Sequence, residues 1–204
     1  MTVDVDKIKA MTTPSGLPFK AMKIGHVVLN VADLERSVAF YTQMLGFKIS
    51  DVYPETMVPG GMVFMRLNTD HHGVAVVGGA KPAEGAADTG GIYSRPAARV
   101  GLNHFAFQVA TLDELFRARE HLKRHSVPLL FEGRRRAGCQ VAVEFNDPDG
   151  NHLELYWDLD QVGSDGYVRP PEEWRQALTL EAALDNPPPG QDVTLADPRL
   201  RKRT

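Results

Sequence analysis

Asp147-Pro148-Asp149-Gly150-Asn151-His152-Leu153-Glu154-Leu155-Tyr156-Trp157 is the stretch from which the rest of the chain can be read. Asp, Pro and Gly set a turn over its first four residues, and strict alternation follows. Leu153, Leu155 and Trp157 point to one face of the predicted strand, and His152, Glu154 and Tyr156 to the other. A carboxylate inside an apolar strand is costly unless its charge is compensated. A metal ion is one compensation, and two histidines stand in matching strand contexts. His26 lies in Gly25-His26-Val27-Val28-Leu29-Asn30-Val31, and His104 in Asn103-His104-Phe105-Ala106-Phe107-Gln108-Val109. Two imidazoles and one carboxylate on three strands make a facial triad with open positions, which suits non-haem Fe(II) and dioxygen chemistry.

The two histidine stretches belong to a repeat. Each residue of 25–34 has its counterpart in 103–112 at an offset of 78 (104 − 26). In the first copy, strand 24–31 leads to a helix with Asp33 as N-cap and Gly46 as stop. Leu34, Val38, Tyr41 and Leu45 form its apolar face. Strands at 47–52, 62–67 and 71–77 follow. In the second copy, Thr111 and Glu114 read as a capping box. Leu112, Leu115, Phe116, Arg119 and Leu122 keep helical spacing, and strands follow at 127–131, 140–145 and 152–157. The expected fold is α+β, two βαβββ modules, each burying the other's open side. His26, Val28 and Asn30 share a face, as do His104 and Gln108, so a cleft between the half-sheets receives both histidines.

The predicted organisation is an extension over 1–22, module one over 23–80, a Gly/Ala/Pro-rich linker over 81–99 shaping or covering the cleft, and module two over 100–158. A C-terminal tail occupies 159–204. Arg169-Pro170-Pro171-Glu172-Glu173-Trp174 opens a short helix there, with Trp174, Leu178 and Leu180 or Leu184 docking on the core or a second subunit. Residues 186–204 read as extended or poorly ordered.

The 204 residues are 43% hydrophobic and 24% charged, a globular balance. A net charge of −3 gives no electrostatic case for nucleic acid or an anionic membrane. No apolar run reaches bilayer length, and 1–22 has no segment of signal-peptide type. Cys139 is the sole cysteine, so no intrachain disulfide forms, and a cytoplasmic location is the default expectation. Homo-oligomerisation is a base-rate expectation.

With repeat and ligands placed, the sequence resembles the vicinal oxygen chelate superfamily of glyoxalases, bleomycin- and fosfomycin-resistance proteins, epimerases and type I extradiol dioxygenases. The resemblance covers about 23–158. It is carried by the opening from Gly25-His26-Val27-Val28 through Met44-Leu45-Gly46-Phe47 and by Asp147-Pro148-Asp149-Gly150-Asn151-His152-Leu153-Glu154-Leu155-Tyr156. It implies a half-barrel cleft with His26, His104 and Glu154 as metal ligands. Glyoxalase-like members place a second carboxylate on the fourth strand of module one. Here Val74 and Val76 are the inward residues, or Ala75 if the parity slips, and none binds metal. His72-Gly73-Val74-Ala75 fits the His-x-Val-Ala pattern of extradiol enzymes, which implies His72 as acid/base, with His71 as competitor.

The resemblance thus implies an Fe(II)-dependent extradiol-type dioxygenase taking a small catechol-like aromatic and dioxygen. The alternatives are a redox-neutral lyase, isomerase or epimerase using Mn, Zn, Co or Ni, and a non-catalytic ligand-sequestering protein. One departure stands out: ring-cleaving relatives carry a Tyr where this chain has Glu144, and a His near Arg135. Asn30, Gln108, Glu144 and Tyr156 are the candidate substrate contacts. The bland readings are hydrogen bonding within the cleft for Asn30 and Gln108, and pairing with a loop arginine for Glu144. Arg134, Arg135 and Arg136 read as a solvated loop, His152 as an exposed strand start, and Cys139 as a packed residue.

Overall fold

The computed structural model describes residues 3–12, 23–81, 102–164 and 166–201. Nearly all of the linker falls outside these residues. The N-terminal stretch holds one exposed turn of helix, α1 (Val5–Lys9), capped by Asp4 where no period was evident. Module one runs β1 (Val27–Asn30), α2 (Leu34–Leu45), β2 (Lys48–Tyr53), β3 (Met62–Arg66) and β4 (Val74–Val77). Module two runs β5 (Phe105–Gln108), α3 (Leu112–Arg124), β6 (Leu129–Arg134), β7 (Val141–Asn146) and β8 (His152–Trp157). The two sheets have the same order, β1-β4-β3-β2 and β5-β8-β7-β6. The first pair of each is parallel and the others antiparallel.

The helices form where their caps place them. Asp33 accepts the Arg36 N–H at 3.0 Å, and Gly46 ends α2 at φ 74°, a left-handed turn that favours glycine. Thr111 and Glu114 complete a capping box on α3. Apolar strand faces pack against the helices. Leu29, Val31, Val63, Met65, Val74 and Val76 are buried with Tyr41, and Val141, Val143, Phe145 and Leu153 with Leu115, Phe116 and Leu122. Each such side chain contributes roughly 1.5–3 kcal/mol on burial.

The turn at 147–150 also joins the modules. Asp147 accepts from the Tyr41 hydroxyl at 2.9 Å and from the backbone N–H of Asp149 and Asn151. Asp149 accepts from Ala32 N–H, the Ser37 hydroxyl and Arg36. Burial, and next the Asp147 carboxylate, push the Tyr41 hydroxyl far above its ordinary value, so it remains a neutral donor.

Several expectations are corrected. β1 and β4 start later than their apolar patterns, so His26 and His72 sit in the loops just ahead of them. On β4 the register pairs Val28 with Ala75, while Val74 lines the cavity beside the start of β1, and neither can bind metal. The tail is anchored rather than loose. It holds α4 (Leu180–Asp185), with Leu180 and Ala183 in the core. Leu178, expected to dock, is exposed, and 171–173 form only a single 3-10 turn. Arg134 holds the carbonyls of Ala183 and Asn186 and the Gln191 side chain, and Asp113 accepts the N–H groups of Ala196 and Asp197. Gly133, at φ 139°, lets the Ala177 carbonyl approach: a Cβ there would lie 2.2 Å from that oxygen.

Candidate metal centre

A cavity of about 700 Å³ opens beside the starts of β1 and β5. His26, His104, Gln140, Glu154 and Tyr156 line it, with Lys23, Asn68 and Asp70 among its other polar residues. Ile24, Leu67, Leu102 and Leu159 are among its apolar walls. The β5–β8 register, Ala106 opposite Glu154, puts Glu154 on the face that His104 shares. His104 Nε2 lies 3.3 Å from Glu154 Oε2. Two ligands bound at right angles to one ion stand about 3 Å apart. Glu154 is only 2% exposed, and Gln140 Nε2 reaches its other oxygen at 3.4 Å.

Asn103 fixes the His104 ring. Its side-chain oxygen lies 2.8 Å from His104 Nδ1 and accepts from the Nδ1–H, which turns Nε2 to the carboxylate. The hydrogen bond to Glu154 holds His104 above its ordinary value, against burial. A buried carboxylate beside an oriented imidazole is the donor chemistry of a divalent metal ligand pair.

His26 is in the same cavity but turned toward module one. Its ring lies 4.6 Å from that of His72, tilted by 47°. Among the described residues no three His, Cys, Asp or Glu side chains are gathered closely enough to hold a metal ion. The residues present therefore fit a metal as a prepared pair, with a third donor lining the same cavity. His72 packs on Phe64, with Nδ1 3.0 Å from His71 Nδ1. Burial, then His26 and His71, hold it below the ordinary histidine value. His71 is exposed and faces Asp51, so His72 is the one of the two beside His26.

Tyr156 lines the cavity as expected, whereas Asn30 and Gln108 are exposed and lie outside its lining. Glu144 is corrected as a substrate contact. It is 0% exposed, bound by Arg135 at 2.7 Å through Nε and by His152 Nε2 at 3.0 Å. The solvated-loop reading of the arginines is corrected too: Arg134 and Arg135 are buried, and Arg135 stacks 3.5 Å from the Phe131 ring centroid. His152 is likewise buried rather than exposed. Gln140 and Asn103 were missed. Each adjoins a singled-out residue or strand, and only the fold shows that they touch His104 and Glu154. Cys139 is packed, its thiol donating to the Arg136 carbonyl.

A family model described as the Glyoxalase/Bleomycin resistance protein/Dioxygenase superfamily matches residues 23–155. A biphenyl-2,3-diol 1,2-dioxygenase of Metapseudomonas furukawaii is 28% identical over 167 residues, covering 79% of this chain and 50% of that protein. A 3-methylcatechol 2,3-dioxygenase of Pseudomonas putida is 26% identical, covering 74% and 47%. The chain spans about half the length of these relatives. The crystal structure of a fosfomycin resistance protein of Listeria monocytogenes superposes with a TM-score of 0.50 at 21% identity, covering 72% of this chain and 96% of that one. That likeness concerns the fold alone. No helix among the described residues is long and apolar enough to cross a membrane.

Proposed function

Since the chain belongs to the Glyoxalase/Bleomycin resistance protein/Dioxygenase superfamily, we propose that it is an Fe(II)-dependent extradiol-type dioxygenase acting on a catechol-like aromatic. The observation that carries this reading is the His104–Glu154 pair, 3.3 Å apart in a cavity that His26 also lines. When bound, Fe(II) would supply the one-electron chemistry that lets an aromatic diol react with dioxygen. His104 and Glu154 would hold it, with Asn103 fixing the His104 ring, and His26, which lines the same cavity, would be the third ligand. Ile24, Leu67 and Leu102 clasp the aromatic ring and keep water from it, while Tyr156 orients it. His72, packed on the His26 ring but itself outside the cavity lining, would be the proton-transfer residue of this reading, with Nε2 the nitrogen left by its Nδ1 contact to His71.

A second reading is a redox-neutral lyase, isomerase or epimerase using Mn, Zn, Co or Ni as Lewis acid. The buried Arg135–Glu144 pair favours it, because by the resemblance it stands near the positions where ring-cleaving relatives carry His and Tyr, and it closes on itself instead of facing the cavity. Oxygen uptake separates the readings. Protein loaded anaerobically with Fe(II) is offered a panel of catechols, with His26→Ala as control. Uptake with a yellow ring-opened product, lost in the variant, is the expected result. Bound iron with no uptake across the panel moves the assignment to the redox-neutral reading.

A further inference from the structure

One polar atom beside the metal centre is left unsatisfied. Gln140, the residue just ahead of β7, lines the cavity with Glu154 and Tyr156. Its Nε2 donates to Glu154 Oε1 at 3.4 Å. Its own Oε1 is buried, and no donor reaches it among the described residues. Turning the carboxamide over would not cure this, because Oε1 would then face the Glu154 carboxylate, acceptor against acceptor. A buried carbonyl oxygen without a donor is costly, and native structures leave few of them.

What covers this oxygen comes from the tail. β8 ends at Trp157, and Asp158, at φ 57°, turns the chain so that Leu159 re-enters the cavity wall. Gly138, at φ 77°, seats it. A Cβ on Gly138 would lie 2.6 Å from Leu159 Cδ1 and 3.2 Å from Gln140 Oε1, so the methyl group and the oxygen share the space that the glycine leaves. The Asp160 N–H donates to the Gly138 carbonyl at 2.9 Å, and Arg169 grips the Asp160 carboxylate through Nε and Nη2 at 2.8 and 3.0 Å. These contacts hold the backbone beside Leu159 but leave its side chain 38% exposed. A change of Leu159 rotamer uncovers Oε1 without breaking either contact.

We propose that Gln140 is a substrate-binding residue whose Oε1 accepts a hydrogen bond from the substrate once Leu159 swings off it. The substrate must then bring a donor to this end of the cavity, a hydroxyl in the catechol reading. Nε2 stays on Glu154, so one carboxamide ties the substrate hydroxyl to the carboxylate of the metal centre and fixes the ring beside it. The oxygen is unsatisfied in the empty site and satisfied in the occupied one, and that difference adds to affinity for a donor. The inference rests on the proposed function and adds a recognition residue to it.

The test is calorimetric titration with catechol of protein saturated with Zn(II), which has no redox chemistry of its own. Gln140→Met keeps the length of the side chain and removes the carboxamide. It should bind catechol at least about fivefold more weakly than wild type. The urea midpoint of its metal-free form should be unchanged or raised, because a buried unsatisfied atom has gone, whereas a merely structural glutamine would lower it. Leu159→Ala uncovers Oε1 and should bind catechol as tightly as wild type or more tightly; it serves if Gln140→Met does not fold. A smaller loss in Gln140→Met, a lowered midpoint, failure of that variant to hold Zn(II), or weaker binding in Leu159→Ala overturns the proposal and leaves the proposed function standing. A Zn(II)-loaded wild type that does not bind catechol overturns the catechol reading and this inference with it, so the two failures are distinguishable.

Discussion

The two modules follow one chain path and carry different chemistry. Val28 pairs with Ala75 in module one, and its repeat partner Ala106 pairs with Glu154 in module two. The same register position is thus a methyl group in one sheet and a buried carboxylate in the other. Their outer edges differ as well. β6 is covered by α4 and bridged to Ala177, whereas β2 leaves Ile49 and Val52 48% and 53% exposed. Repetition copied the topology and the histidine, while among the described residues the carboxylate, the buried ion pair and the edge cover are found in module two.

This asymmetry can be broken at graded cost. The largest effect falls on metal retention. Glu154→Ala should lose essentially all bound metal, while Ala75→Ser, at the equivalent place, should lose none; metal content after gel filtration reads both. Edge cover comes next. Leu180→Ala, fully buried under β6, should cost about 2–5 kcal/mol in urea unfolding. Val52→Ala on the bare edge should cost no more than about 0.5 kcal/mol. A turn comparison follows. Asp147→Ala strands the Tyr41 hydroxyl and two backbone N–H groups, and should cost about 2–4 kcal/mol. Asn68→Ala, in the exposed turn of module one, should stay within about 1 kcal/mol.

The smallest effect is acid sensitivity. Glu144 is held below its ordinary value in the folded protein, despite burial, by His152 and Arg135. A lowered folded value means that its stabilisation is fully present above the unfolded carboxylate value of about 4.3 and fades as pH falls through the folded one. The stability gap between wild type and Glu144→Gln, measured in urea at stepped pH, should therefore shrink below about pH 4. A gap that widens in acid would contradict the assigned direction.

Much of this was legible in the sequence. The caps at Asp33, Gly46, Thr111 and Glu114 are local hydrogen-bond chemistry, and the repeat and strand parity depend only on spacing. His104 with Glu154 followed from matching that parity across the repeat. What was hidden depends on contacts far apart in the chain. Arg134 looks like part of a solvated run because its partner Gln191 is named only by the fold, whereas the pairing of Glu144 with a loop arginine was open to the sequence and falls to Arg135. The tail looked loose because its anchors, Asp113 and Arg134, lie in module two. The resemblance marked His72 as important, but periodicity placed it in a strand, one element too far. Asp147 and Asp149 read as turn formers, and their clamp on Tyr41, Ser37 and Ala32 was invisible to local rules.

The most direct measurement is the X-ray absorption spectrum of protein loaded anaerobically with one equivalent of Fe(II), compared with His26→Ala. In the proposed set His26 is the third donor, and its ring lies 4.6 Å from that of His72. The account predicts one iron per chain with two imidazole scatterers, falling to one in His26→Ala. A spectrum with a single imidazole that His26→Ala leaves unchanged would contradict it, and would remove His26 from the metal centre.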